Sequence, residues 1–159
     1  MSQANAAPVL NVAAEKKSEQ LKEFRTPPHN LAIEQAVLAA LMTVAESFEQ
    51  VSDILVEEDF YATRHKYIFR AIQQLAKDSS PYDAVLVNDW LIKQNLIDAV
   101  GGEEYLMQLM ADSPSSFYNL ETYAGKIKEF ATLRNMIKVS TEILQNAYDT
   151  KGRSVSEIL

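Results

Sequence analysis

A catalytic centre needs a base, a nucleophile or a metal, and few side chains here could supply one. The two histidines are His29, beside a Pro27-Pro28 pair, and His65, at the start of an expected helix. They stand far apart in sequence, with no His or Glu at ligand spacing, so no metal site is expected. His65 is read as a packed or hydrogen-bonded structural residue. The carboxylate pairs Glu57-Glu58 and Glu103-Glu104 are adjacent, so on a helix they point about 100° apart and do not converge for acid–base work. There is no cysteine, which removes thiol nucleophiles, disulfides and thiolate metal sites and fits a reducing cytosol. The four glycines are Gly101, Gly102, Gly125 and Gly152, and neither GxxxxGK[ST] nor GxGxxG can be written from them. Trp90, Tyr105 and Tyr123 could stack on bases, but their helical spacing within apolar runs, without surrounding Arg and Lys, reads as core. The expectation is a chain without an enzyme's machinery: no catalytic, cofactor-binding or metal-binding residue.

The elements that position these residues read as all-α. The 159 residues suit one domain, and a hydrophobic fraction of 47% can build a core. Apolar stretches are interrupted by charges too often to span a bilayer, and the N-terminus lacks a secretion-signal pattern, so a cytoplasmic location is expected. Residues 1–26 carry few large apolar side chains and read as a flexible tail. Asn30 can cap a helix that runs through Leu31, Val37, Leu38, Leu41 and Met42. A shorter helix is expected over Ser47–Leu55. Another should cover Arg64–Lys77, with Ile68, Ile72 and Leu75 inward and Tyr67 and Phe69 flanking. Asp83 can cap the next, through Trp90 and Leu91. Gly101-Gly102 predicts positive φ or a sharp entry into a helix carrying Tyr105, Leu106 and Leu109, ended by Ser113-Pro114-Ser115-Ser116. Val85-Leu86-Val87 is the best strand candidate, but it lies inside a helical pattern.

The segment from Asn119 to about Tyr148 is the most informative. Leu120, Tyr123, Ile127, Phe130, Arg134, Ile137, Thr141, Leu144 and Tyr148 recur at spacings of three and four, an a/d seam interrupted by Arg134 and Thr141. Leu133, Met136, Ile143 and Ala147 form a second apolar strip, and two strips on one long helix call for a partner besides the helix's own domain. Ser154 with Glu157 reads as a capping box, so a further helix begins close to Leu159, and the chain reads as a fragment cut within a helical hairpin.

The net charge of −7 repels phosphate backbones. Glu46, Glu49, Asp53, Glu57, Glu58 and Asp59 occur with no Lys or Arg among them, as either a solvated face or a patch for a basic partner.

The run from Pro27 to Leu41, PPHNLAIEQAVLAAL, resembles the opening of DnaB-family replicative helicases, with Ala39 where many members have Gly. Asp59-Phe60-Tyr61 with His65 and Ile68-Phe69 is similar to a second block of that family. Asp83 and Leu91 fit the helix that follows. Leu96 through Gly101-Gly102 to Tyr105-Leu106 resembles a further block, and Asn119, Tyr123-Ala124 and Arg134 resemble the helix that opens the family's hairpin. The match covers roughly residues 27–159 and lacks the family's motor domain. The resemblance implies a globular helical head (27–117, after the tail) and a helical hairpin (118–159) with its second helix incomplete. It also implies pairing with a second copy, three such pairs forming a collar on a hexameric ring, and docking of the primase C-terminal domain, with a helicase loader as a further partner. ATP and Mg would serve the whole protein and not this chain, and DNA would be met only through the assembled ring. Ile127, Phe130, Ile137 and Leu144 are expected on the self-association side, with Arg134 in the same seam. Met136 and Ile143 are expected on the partner-facing or intersubunit side. Two other readings remain: a free-standing helical regulator or loader-like protein, and a weak nucleic-acid-binding module using Lys126, Lys128, Arg134 and Lys138.

Overall fold

The computed structural model of the chain describes residues 12–17, 26–112 and 119–159. Most of the expected tail, 1–11 and 18–25, lies outside them, and residues 12–17 form an exposed helical stretch. The expected 113–116 turn also lies outside the described residues. The described residues contain helices and turns and no strand, which makes the fold all-α.

The head is built around α1, Leu31–Thr43. The Asn30 side chain accepts from the Ile33 N–H at 3.1 Å, satisfying one of the free donors at the helix start. Seven of its thirteen residues are buried: Glu34, Val37, Leu38, Ala39, Ala40, Leu41 and Met42. A helix covered this fully must have neighbours on several sides, and the helices Thr63–Lys77, Gly102–Asp112 and Leu120–Tyr148 all pack on it.

The expected 47–55 helix is instead a 3-10 turn, Ser47–Gln50, followed by further turns. Its backbone bonds close separate turns onto the Phe48 and Val51 carbonyls, and two of its donors bond outside it. The Ser47 hydroxyl donates to the Val44 carbonyl at 2.7 Å, and the Phe48 N–H donates to the Tyr82 hydroxyl at 2.9 Å. Val51 and Leu55 still reach the core. A second 3-10 turn, Glu57–Asp59, leads into α2, Thr63–Lys77. Its inward face is Ile68, Phe69, Ala71 and Ile72. Phe69, expected to flank, is fully buried, tilted against Phe60 with ring centres 5.0 Å apart.

The Asp83 carboxylate caps α3, Ala84–Lys93, accepting from the Leu86 N–H at 3.0 Å. The short α4, Ile97–Val100, ends at Gly101, and α5, Gly102–Asp112, starts at once. That reversal needs φ of +108° at Gly101 and +79° at Gly102. A Cβ on Gly101 would also stand 3.3 Å from that of Tyr105.

Helix α6, Leu120–Tyr148, has 29 residues and so is about 43 Å long. Leu120, Ala124 and Ile127 complete the head core. After a turn with positive φ at Lys151 and Gly152 comes α7, Val155–Ile158, where the Glu157 carboxylate accepts from the Ser154 N–H at 2.8 Å.

Candidate functional site

The site is the outer half of α6. The buried positions Leu120, Ala124 and Ile127 lie within its first eight residues, and Tyr123 and Phe130 are partly covered. From Asn135 to Gln145 every residue is exposed. Leu133, Met136, Ile137, Val139, Ile143 and Leu144 are between 43% and 59% exposed, and Tyr148 is 87% exposed. At about 100° per residue these seven fall within roughly half of the helix circumference, whereas Lys138, Glu142 and Gln145 fall on the other half. The two strips expected from the sequence therefore merge into one broad apolar face. Pro28 closes one end of it, forming a shallow groove with Leu133, Met136, Ile137, Ser140 and Thr141. A contiguous apolar face of this extent is what docking surfaces present.

Two of the seven residues expected at an interface are placed elsewhere. Ile127 is 2% exposed and belongs to the head core, because the head reaches further along α6 than periodicity alone shows. Arg134 turns toward its own head: its guanidinium donates to the Pro28 carbonyl at 2.8 Å and to the Asp59 carbonyl at 2.6 Å. It also stands 5.5 Å from the centre of the Tyr61 ring. Phe130 sits at the boundary, partly covered. Met136, Ile137, Ile143 and Leu144 lie together on the exposed face.

A buried polar cluster in the head joins residues whose meeting no local sequence pattern signals. Glu34, 2% exposed, accepts from the backbone N–H groups of Tyr61 at 2.8 Å and Ala62 at 3.3 Å. Ala62 stands at the cap position of α2 with no side chain able to cap it, and Glu34, from another helix, satisfies the Ala62 N–H and places a negative charge at the helix start. The same carboxylate lies 2.8 Å from His65 Nδ1, and His65 Nε2 lies 2.6 Å from the Tyr105 hydroxyl. Gln35 Nε2 donates to that hydroxyl at 3.3 Å. Each ring nitrogen of His65 thus has a buried polar partner, and Glu34 and Tyr105 each have more than one. The sequence signal was a Glu in an apolar helix and a His at a helix start. Their meeting is a tertiary fact.

The acidic run is partly neutralised by residues remote in sequence. Arg70 pairs with Glu57 at 2.7 Å, and that hydrogen bond raises the guanidinium further above its usual range. Lys128 pairs with Asp59 at 3.1 Å. Glu46, Glu49, Asp53 and Glu58 are exposed. Among the described residues, no group of His, Asp and Glu is placed to hold a metal, and no helix is long and apolar enough to cross a membrane.

The family description "DnaB-like helicase N terminal domain" matches residues 26–129. The chain belongs to that family. Among related proteins, the replicative DNA helicase DnaB of Pasteurella multocida is 35% identical over 142 residues, covering 89% of this chain and 30% of that protein. The replicative DNA helicase DnaC of Bacillus subtilis is 35% identical over 135 residues, covering 85% and 29%. This chain thus spans about three tenths of the length of the curated relatives it matches. Among solved structures, the N-terminal domain of the Mycobacterium tuberculosis DnaB helicase superposes with a TM-score of 0.80 at 32% identity, covering 84% of this chain and 92% of that one. The N-terminal domain of DnaB helicase from Helicobacter pylori, described together with its interactions with primase, gives 0.64 at 26% identity, covering 73% and 89%. The family's all-helical head is therefore the fold of this chain, and the resemblance read from its sequence motifs holds.

Proposed function

We propose that this chain is the assembly and protein-docking domain of a replicative DNA helicase. One observation carries the reading: the apolar half-circumference of α6 beyond Arg134, from Met136 to Tyr148, is left uncovered by the chain's own head. In this reading residues 27–117 serve as a globular helical head and 118–159 as a helical hairpin whose second helix is incomplete. Pairing of that hairpin with a second copy supports a trimer-of-dimers ring, and the resulting collar docks the C-terminal domain of primase and, in some settings, a loader. ATP and Mg belong to the part of the relatives that this chain does not span. DNA is met through the assembled ring. The net charge of −7 supports that view, and so does the pairing of Lys126 with Glu129 and Lys128 with Asp59, which leaves no basic stripe on α6. Size exclusion with light scattering tests the reading. The chain should run as a dimer or a monomer–dimer mixture and co-migrate with the primase C-terminal domain. A strict monomer that ignores primase, both as this chain and when extended past Leu159, would contradict it.

A further inference from the structure

The point where α6 leaves the head is held by a small, specific arrangement. The segment Asp59–Ala62 is gripped from two sides. From within the head, the Glu34 carboxylate accepts from the Tyr61 and Ala62 N–H groups. From α6, Lys128 reaches the Asp59 carboxylate at 3.1 Å, and Arg134 donates to the Asp59 carbonyl at 2.6 Å. A different nitrogen of Arg134 donates to the Pro28 carbonyl at 2.8 Å. Tyr61, beneath the guanidinium, stacks on His29 with ring centres 3.9 Å apart and planes 13° from parallel. One planar fork thus joins three stretches of chain that are separate in sequence: the lead-in to α1, the lead-in to α2, and α6. A lysine, with a single ammonium, does not span two carbonyls in this manner.

We propose that Arg134 is a positioning residue, a clasp that fixes the direction in which the outer half of α6 leaves the head and so the way its apolar face is presented. Ile127 is the last fully buried residue of the helix. Without the clasp the supported length ends near the partly covered Phe130, and the free length to Tyr148 grows from roughly 21 Å to roughly 27 Å. A tilt of about 15° at that point moves the helix tip by roughly 7 Å, while the head and the helix keep their own structure. The inference goes beyond the docking reading, because the direction of the helix belongs to a single chain whatever binds it.

The chain has no cysteine, so two introduced ones label uniquely. Val85→Cys on α3, at a position 69% exposed, and Tyr148→Cys at the tip, 87% exposed, carry nitroxide spin labels in the full chain. Pulsed electron–electron resonance, with labelled chain diluted into unlabelled chain, reads the head-to-tip distance within one molecule. The parent should give one narrow distribution. Adding Arg134→Ala should move its centre by about 5 Å or more, or about double its width, with helix content by circular dichroism unchanged. Arg134→Lys should change it in the same sense by less. An Arg134→Ala distribution as narrow as the parent's and at the same centre overturns the proposal. If Arg134→Ala fails to fold, Arg134→Lys decides alone, and an unchanged distribution overturns it.

Discussion

Ile127 and Ile137 lie ten residues apart on α6, and replacing each with alanine removes the same three carbons. Their surroundings differ: Ile127 is 2% exposed among Leu120, Ala124 and the α1 core, and Ile137 is 52% exposed. At Ile127 the change removes buried surface and leaves a cavity, which costs about 2–5 kcal/mol. For a domain of this size that lowers the melting temperature by roughly 4–20 °C. At Ile137 the change is a surface substitution worth about 0.5 kcal/mol or less in the monomer, a shift of roughly 2 °C. Its effect should appear instead in association. If Ile137 anchors a contact, its loss weakens dimer or primase binding by about tenfold, near 1.4 kcal/mol. Thermal denaturation by circular dichroism at low protein concentration, paired with sedimentation equilibrium, separates the two quantities. Equal melting losses for both variants would refute the assignment of Ile127 to the core and Ile137 to the surface. An unchanged association constant for a folded Ile137→Ala variant would refute its place at the interface.

The buried cluster should be intolerant of small changes. In Glu34→Gln each side-chain oxygen position faces a backbone N–H, so either orientation of the amide sets an NH2 group against a donor. A loss of about 1–3 kcal/mol in urea denaturation is expected, and a variant as stable as the parent would mean the carboxylate is not holding the start of α2. Gly101→Ala places a side chain at φ +108° with its Cβ 3.3 Å from that of Tyr105, so a loss of about 1–3 kcal/mol should be measured, whereas no change would show the α4–α5 turn to be adjustable. Asn30→Ala removes the cap of α1, and amide exchange at Ile33 should quicken as stability falls by about 1 kcal/mol.

Helix positions were legible because their start signals are local. Asn30 and Asp83 each satisfy an N–H three residues ahead, and Glu157 reaches back to the Ser154 N–H. The double glycine marked its turn for the same reason. The 47–55 stretch reads as a helix by spacing, but its backbone bonds converge on the Phe48 and Val51 carbonyls as separate turns, and the Phe48 N–H is held by Tyr82, 34 residues on. Periodicity placed Ile127 and Ile137 on one seam and could not say where the head stops, since that depends on how far α1 and the Asp59 turn reach along α6. Arg134 read as a polar break in the seam. Its acceptors, the Pro28 and Asp59 carbonyls, stand 106 and 75 residues away and have no side-chain signature. The Glu34–His65–Tyr105 cluster spans three helices and likewise exists only once they pack.

The most direct test of the docking role is calorimetric titration of the primase C-terminal domain into the chain and into a Met136→Asp/Ile143→Asp variant. Both replaced side chains are 59% exposed, so the head should keep its melting temperature within about 2–4 °C. Saturable binding to the parent chain is expected, with at least about a tenfold loss in the folded variant, the effect of placing two charges in an apolar contact. Equal affinity for both would contradict it and move the docking surface off the outer half of α6.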